Sequence, residues 1–237
     1  LNGRAAGAAG WAGEAGAVTD WEELAANSDE PDDGSYVHSD EFDDVRASLL
    51  LLRDALETIP EQPSYWKWAI LAAHSAVQSA CVCLLTRTDG GGALTKRSEK
   101  ELNEYHDLAS QRAITEAAGG NWILREAVYP NEQVESFPGL LRRLPSGLKI
   151  EFPGGENIAR DQPTKDFVKL HYFRNNFTHF RSVGWSIEVA GLPRILGAAV
   201  ELVEKIAVSE EYKRFNRFNE MNLELLFVEI REGLSAL

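Results

Sequence analysis

The chain has 237 residues, 44% hydrophobic and 26% charged, enough apolar material for one core and too much for a wholly disordered chain. It contains no run of about 18 apolar residues, and its Ala/Gly-rich start lacks the basic region and apolar stretch of a secretory signal, so a cytoplasmic protein with no membrane span is expected. The net charge of −13 opposes a nucleic-acid partner only until it is divided along the chain: residues 1–44 hold twelve carboxylates against Arg4 alone, which leaves −2 for the remainder. Within that remainder, residues 142–181 hold eight Lys/Arg and four acids, so a phosphate-binding surface is possible there.

Residues 1–40 are Ala/Gly-rich and then acidic, with too few large apolar groups to offset the entropy of ordering, and are expected to form an irregular arm ahead of a helical domain over 41–237. The first regular helix is expected over 43–59, where Val45, Leu49, Leu52 and Leu56 recur at the helical period and Pro60 ends the pattern. The second runs from Ser64, read as its cap, to Leu85; it is apolar around most of its circumference, as the central helix of a bundle would be. Cys81 and Cys83 point about 200° apart on it and cannot easily bridge, so both should be buried thiols. A third helix is expected over 98–118 and a short one over 132–144, then a short strand at 148–152. Pro163 and Thr164 open a helix running to Ser182, and Trp185 to Val189 alternates like an extended segment. Helices from Pro193 and over 219–234 complete an all-α bundle of five to seven helices.

The helix after Pro163 divides by side. Leu170, Phe173, Phe177 and Phe180 fall within about 80° and form a core face. Arg174, Thr178, His171, Asn175 and His179 cover about 140° of the other side. On the second helix Lys67, Leu71, His74 and Gln78 draw one mostly polar line, with His74 either a core histidine bonded to a carbonyl or a support for the polar face. His38, His106, Cys81 and Cys83 have none of the spacings of a zinc site, and Gly90-Gly91-Gly92 follows a helix and lacks the Lys-Ser/Thr ending of a phosphate loop, so neither metal nor cofactor is expected.

The run Arg174-Asn175-Asn176-Phe177-Thr178-His179 resembles the HEPN superfamily, whose nuclease members carry Arg, four to six residues, then His, often with a polar residue directly after the Arg. Tyr65-Trp66-Lys67-Trp68-Ala69-Ile70, Lys169-Leu170-His171 and Gly184-Trp185-Ser186-Ile187-Glu188 resemble the same group, over roughly residues 43–204. The resemblance implies a HEPN-like helical bundle, a homodimer, and metal-independent RNA cleavage giving a 2′,3′-cyclic phosphate, in a toxin or antiviral defence setting with an antitoxin or partner protein. Such cleavage needs a base for the ribose 2′-OH, an acid for the leaving 5′-oxygen, and positive charge for the phosphorane between them. Imidazole can serve as base or acid near neutrality and guanidinium binds phosphate oxygens in pairs. The expected catalytic residues are therefore Arg174, His179 and Asn175, supported by Thr178, His171, His74, Gln78 and Lys67, with Lys169, Arg181 and Lys165 on the RNA.

Two other readings stand beside it. Arg174 could be a surface cation paired with an acid such as Glu188, and the chain could be a HEPN-like dimerisation or partner-binding module without catalysis. Arg181 stands where HEPN toxins silenced by tyrosine nucleotidylation often carry Tyr, so that form of regulation is not expected here.

Overall fold

The computed structural model describes residues 39–119, 129–150, 161–179, 184, 186–209 and 223–237. Apart from Ser39 and Asp40 the expected arm lies outside the described residues, as do Phe180, Arg181 and Trp185. Among the described residues the fold is all-α, with seven helices and no strand beyond one isolated bridge between Leu94 and Val134.

Helix α1 (Glu41–Thr58) begins where the Asp40 carboxylate accepts the backbone N–H groups of Phe42 and Asp43, each at 3.0 Å. That satisfies two of the donors a helix start leaves unpaired, and three acids in the first turn suit its positive end. A 3-10 turn (Pro63–Tyr65) leads into α2 (Trp66–Leu85). Ser64 lies inside this turn and makes no capping bond, because proline at its first position starts the turn one residue earlier.

Helix α2 is the axis of the bundle and packs on α1, on α4 (Phe137–Arg143), on α5 (Gln162–Thr178) and on α6 (Leu192–Ala207). Its length and apolarity would suit a membrane span by composition alone, and 56% of that apolar window is buried inside the bundle. Ala69, Ala72, Ala73, Ala76 and Ala80 are buried and share a stripe about 100° wide, where small side chains let neighbouring backbones approach. Beside the stripe, Ile70 and Val77 fill the core, and Cys81 and Cys83 are buried free thiols. Helix α7 (Leu223–Ser235) closes the bundle against α1 and α6.

After α2 the chain turns back through Gly92, whose φ of +93° and whose contact with the Leu85 carbonyl, 2.0 Å from where a Cβ would stand, require glycine. Helix α3 (Lys96–Ala117), capped by Thr95, buries only Ser98 and Leu102 and projects most of its surface outward. The fourth helix starts at Phe137 rather than near residue 132, because Ser136 caps it and residues 133–135 instead bond to the α2–α3 loop. Arg143 fastens that loop, donating to the carbonyls of Gly92 and Leu94 and pairing with Glu135.

The expected strand is absent at Leu148–Ile150, where Leu148 closes a turn on Pro145 and Ile150 bonds the carbonyl of Leu141. Helix α5 starts as expected, with Asp161 capping Thr164 at 2.8 Å, but ends at Thr178 rather than Ser182. Its backbone departs from helical values at His179. Asp166 on α5, nearly fully buried, is paired with Arg194 on α6 and accepts from Gln162. Leu170 is fully buried, and Phe173 and Phe177 pack on the core as the apolar face demanded.

The tight alanine stripe makes a simple prediction. Ala76→Leu would overfill it and lower the free energy of unfolding by about 1–3 kcal/mol, measured by denaturant titration.

Candidate functional site

Helix α5 presents Arg174, His171 and Asn175 toward α2, where His74 projects from the apolar helix. The four side chains form one chain of contacts. Arg174 Nη1 donates to Asn175 Oδ1 at 3.1 Å, Asn175 Nδ2 meets His171 Nε2 at 3.1 Å, and His171 Nδ1 meets His74 Nε2 at 3.1 Å.

Chemistry sets the direction of every link. A guanidinium can only donate, so the amide oxygen of Asn175 must face Arg174 and its NH2 must face His171. His171 Nε2 must then accept, which puts the ring proton of His171 on Nδ1. Nδ1–H donates to His74 Nε2, which must be bare, so both rings are neutral. Burial points the same way: His74 is 3% exposed, and desolvation, with the positive charge of Arg174 and the His171 ring beside it, pulls its pKa down to about 3. Burial and Arg174 lower the half-buried His171 as well.

Phe137 of α4 roofs this relay. Its ring stacks on His74 with centroids 3.9 Å apart and lies nearly parallel to His171 at 5.2 Å. His74, which sequence alone left between a core histidine bonded to a carbonyl and a support for the polar face, is buried in the bundle with Nε2 on the His171 ring rather than on a carbonyl.

Arg174 has no ion pair among the described residues, Glu188 included, although its side chain is only partly exposed. It opens instead on a cleft of about 460 Å³ between α1, α2 and α5, which Thr178, His74, Gln78 and Trp68 also line. On the far wall the Asp44 carboxylate of α1 accepts three serine hydroxyls through Oδ2, from Ser48 of its own helix and from Ser75 and Ser79 of α2. Oδ1 of Asp44 makes no hydrogen bond among the described residues.

The structure thus joins Arg174, Asn175, His171 and His74, and sets Thr178 and Gln78 at the same cleft. Thr178 donates to the backbone carbonyl of Arg174 at 3.0 Å, so its hydroxyl helps close the helix. His179 is separate. It is exposed at the C-cap of α5, its backbone N–H bonded to the carbonyl of Asn175, and it does not line the cleft. Lys67 lies over Trp68 with Nζ 4.8 Å from the ring centroid, Lys165 and Lys169 are exposed on α5, and Arg181 falls outside the described residues.

Sequence reasoning missed Asp44, its serines, Trp68 and Phe137. Asp44 fell inside the expected first helix, as it does in α1, but its charge was only tallied with the acidic residues before it and given no role. The signal for the cluster was Ser75 and Ser79, four apart on an otherwise apolar helix and so on one side of it. Phe137 carried no signal. Compared with family models, curated proteins and solved structures, the chain matches none.

Two neutral imidazoles in the relay fix the sign of a pH dependence. His74 binds a proton near 6.5 when unfolded and only near 3 when folded, so the unfolded chain gains protons first on acidification and stability falls as pH drops through that interval. The slope contributed by one such group approaches about 1.4 kcal/mol per pH unit. Denaturant titrations between pH 7 and pH 5 should show this loss in the wild type and a shallower one in His74→Leu; identical slopes would contradict it.

Proposed function

We propose that the chain is a metal-independent endoribonuclease of HEPN type, in which Arg174 receives the scissile phosphate. One observation carries the proposal: a partly buried guanidinium, held by Asn175, faces a cleft with no carboxylate paired to it among the described residues. A cation left without a protein counter-charge suits an anion that brings its own charge. The resemblance of Arg174 to His179 to the HEPN nuclease motif supplies the reaction class.

The reaction divides the work as follows. An imidazole takes the proton of the ribose 2′-OH, the 2′-oxygen attacks phosphorus, and Arg174 neutralises the charge that grows on the phosphorane oxygens. The bond to the 5′-oxygen breaks, that oxygen takes a proton from a second imidazole, and a 2′,3′-cyclic phosphate and a 5′-OH remain. His179 is exposed at the C-cap of α5 beside the cleft, so the reacting phosphate sits at the cleft mouth, between Arg174 and His179. A two-fold dimer that brings two copies of α5 together would supply the second imidazole from a second His179 and double the local positive charge. Asn175 fixes Arg174, while His171 and His74 fix Asn175. Exposed Lys165 and Lys169 lie on the same helix, where they can meet the RNA backbone.

A second reading draws on the position of His179. Its ring makes no hydrogen bond among the described residues and stands outside the cleft that holds Arg174, an arrangement that also suits a non-catalytic dimerisation or partner-binding module in a defence or toxin–antitoxin setting.

The two are separated by incubating total RNA, with EDTA present, with wild type, Arg174→Ala and His179→Ala, each shown to keep its helical content. The nuclease reading expects cleavage by wild type and a loss of about a hundredfold or more in each variant. Equal RNA integrity in all three samples would leave the binding module.

A further inference from the structure

The wall of the cleft opposite Arg174 has a chemistry of its own. Asp44 Oδ2 receives the hydroxyl protons of Ser48 and Ser75, which line the cleft beside it. Those hydroxyls have no proton left to donate and turn only lone pairs outward. Asp44 Oδ1 adds an unused anionic acceptor, and the Gln78 amide also makes no hydrogen bond among the described residues. The wall is therefore rich in acceptors, and it calls for a ligand edge that carries N–H groups. Trp68, 44% exposed on α2, adds a flat indole to the same cleft.

Cation, flat ring and acceptor wall together match the three parts of a nucleotide, and the volume of about 460 Å³ falls among small-molecule pockets, which span roughly 300–1,000 Å³. Resting on the reading of Arg174 as the phosphate site, we propose that the cleft is a base-recognition pocket for the nucleotide attached to that phosphate, with Trp68 stacking on a nucleobase and Asp44 accepting its exocyclic amine.

The pocket therefore selects adenine, cytosine or guanine, each of which carries an amino group. Uracil is rejected because its single ring N–H is flanked by two carbonyl oxygens, which would face the carboxylate and the serine lone pairs. Asp44 and Arg174 make no ion pair with each other, so both charges remain available to a ligand lying between them. This assigns a role to the Asp44–serine cluster that the cleavage chemistry leaves unused.

The test uses the full chain and two probes, adenosine 3′-monophosphate and uridine 3′-monophosphate, in calorimetric titrations, together with sequencing of the ends that cleavage produces. Wild type is expected to bind the adenosine nucleotide about tenfold tighter or more than the uridine nucleotide. Trp68→Ala, a change at a half-exposed ring, should lower the adenosine affinity about tenfold. Asp44→Asn puts a donor where an acceptor stood and should shift the ratio toward uridine. Should Asp44→Asn fail to fold, Trp68→Ala still decides. Equal affinity for both nucleotides, or unaltered binding by Trp68→Ala, overturns the pocket. Cleavage without preference for the adjoining base would also overturn it. A base-selective binding ratio in a chain that cuts no RNA upholds the pocket and removes the nuclease reading instead.

Discussion

The candidate site depends on how a buried imidazole on α2, His74, meets a half-buried one on α5, His171. A polar ring nitrogen buried in an apolar helix costs stability unless it finds a partner. For His74 Nε2 that partner is His171, and for His171 the remaining nitrogen finds Asn175. Because only one proton can occupy each link, satisfying the buried rings also fixes the amide of Asn175, and the amide fixes the guanidinium. Core packing and the aim of Arg174 are thus one constraint. Phe137 completes it by closing the relay from above with an apolar ring, which keeps both imidazoles in their neutral forms.

The same helix α2 serves the opposite wall of the cleft by different chemistry. Its serines at 75 and 79 donate to Asp44 of α1, so an anion and a cation are held on separate helices with α2 between them. Neither charge is spent on the other. The alanine stripe on α2 contributes by giving that helix small buried positions within the bundle, while His74, Ser75 and Gln78 line the cleft. A neutralised pair would make a stronger lock between helices but a poorer site for a ligand carrying both an anion and amino groups.

Much of the bundle was legible in the sequence because its signals are local. Val45, Leu49, Leu52 and Leu56 mark α1 by their spacing, and Pro163 marks the start of α5. The errors fell where a local signal was outweighed by a distant partner. Residues 133–135 bond to the loop after α2 instead of continuing a helix, and Ile150 bonds Leu141 instead of joining a strand. Arg174, Asn175 and His171 could be placed on one polar side of a helix from their spacing alone. That His171 would meet His74, 97 residues away, could not, nor that Asp44 would reach Ser75 across 31 residues. His179 was assigned to the same groove on helical geometry that ends one residue before it.

The direction of the relay can be observed directly in the ring nitrogens. Long-range proton–nitrogen NMR spectra at pH 7 distinguish an imidazole protonated on Nδ1, on Nε2, or on both. His171 is expected as the Nδ1–H tautomer, neutral, with His74 Nε2 bare, because Asn175 can offer His171 only its NH2 once its oxygen faces Arg174. His171 protonated on Nε2, or charged at that pH, would mean that the amide is not held by both neighbours and that nothing aims Arg174 at the cleft.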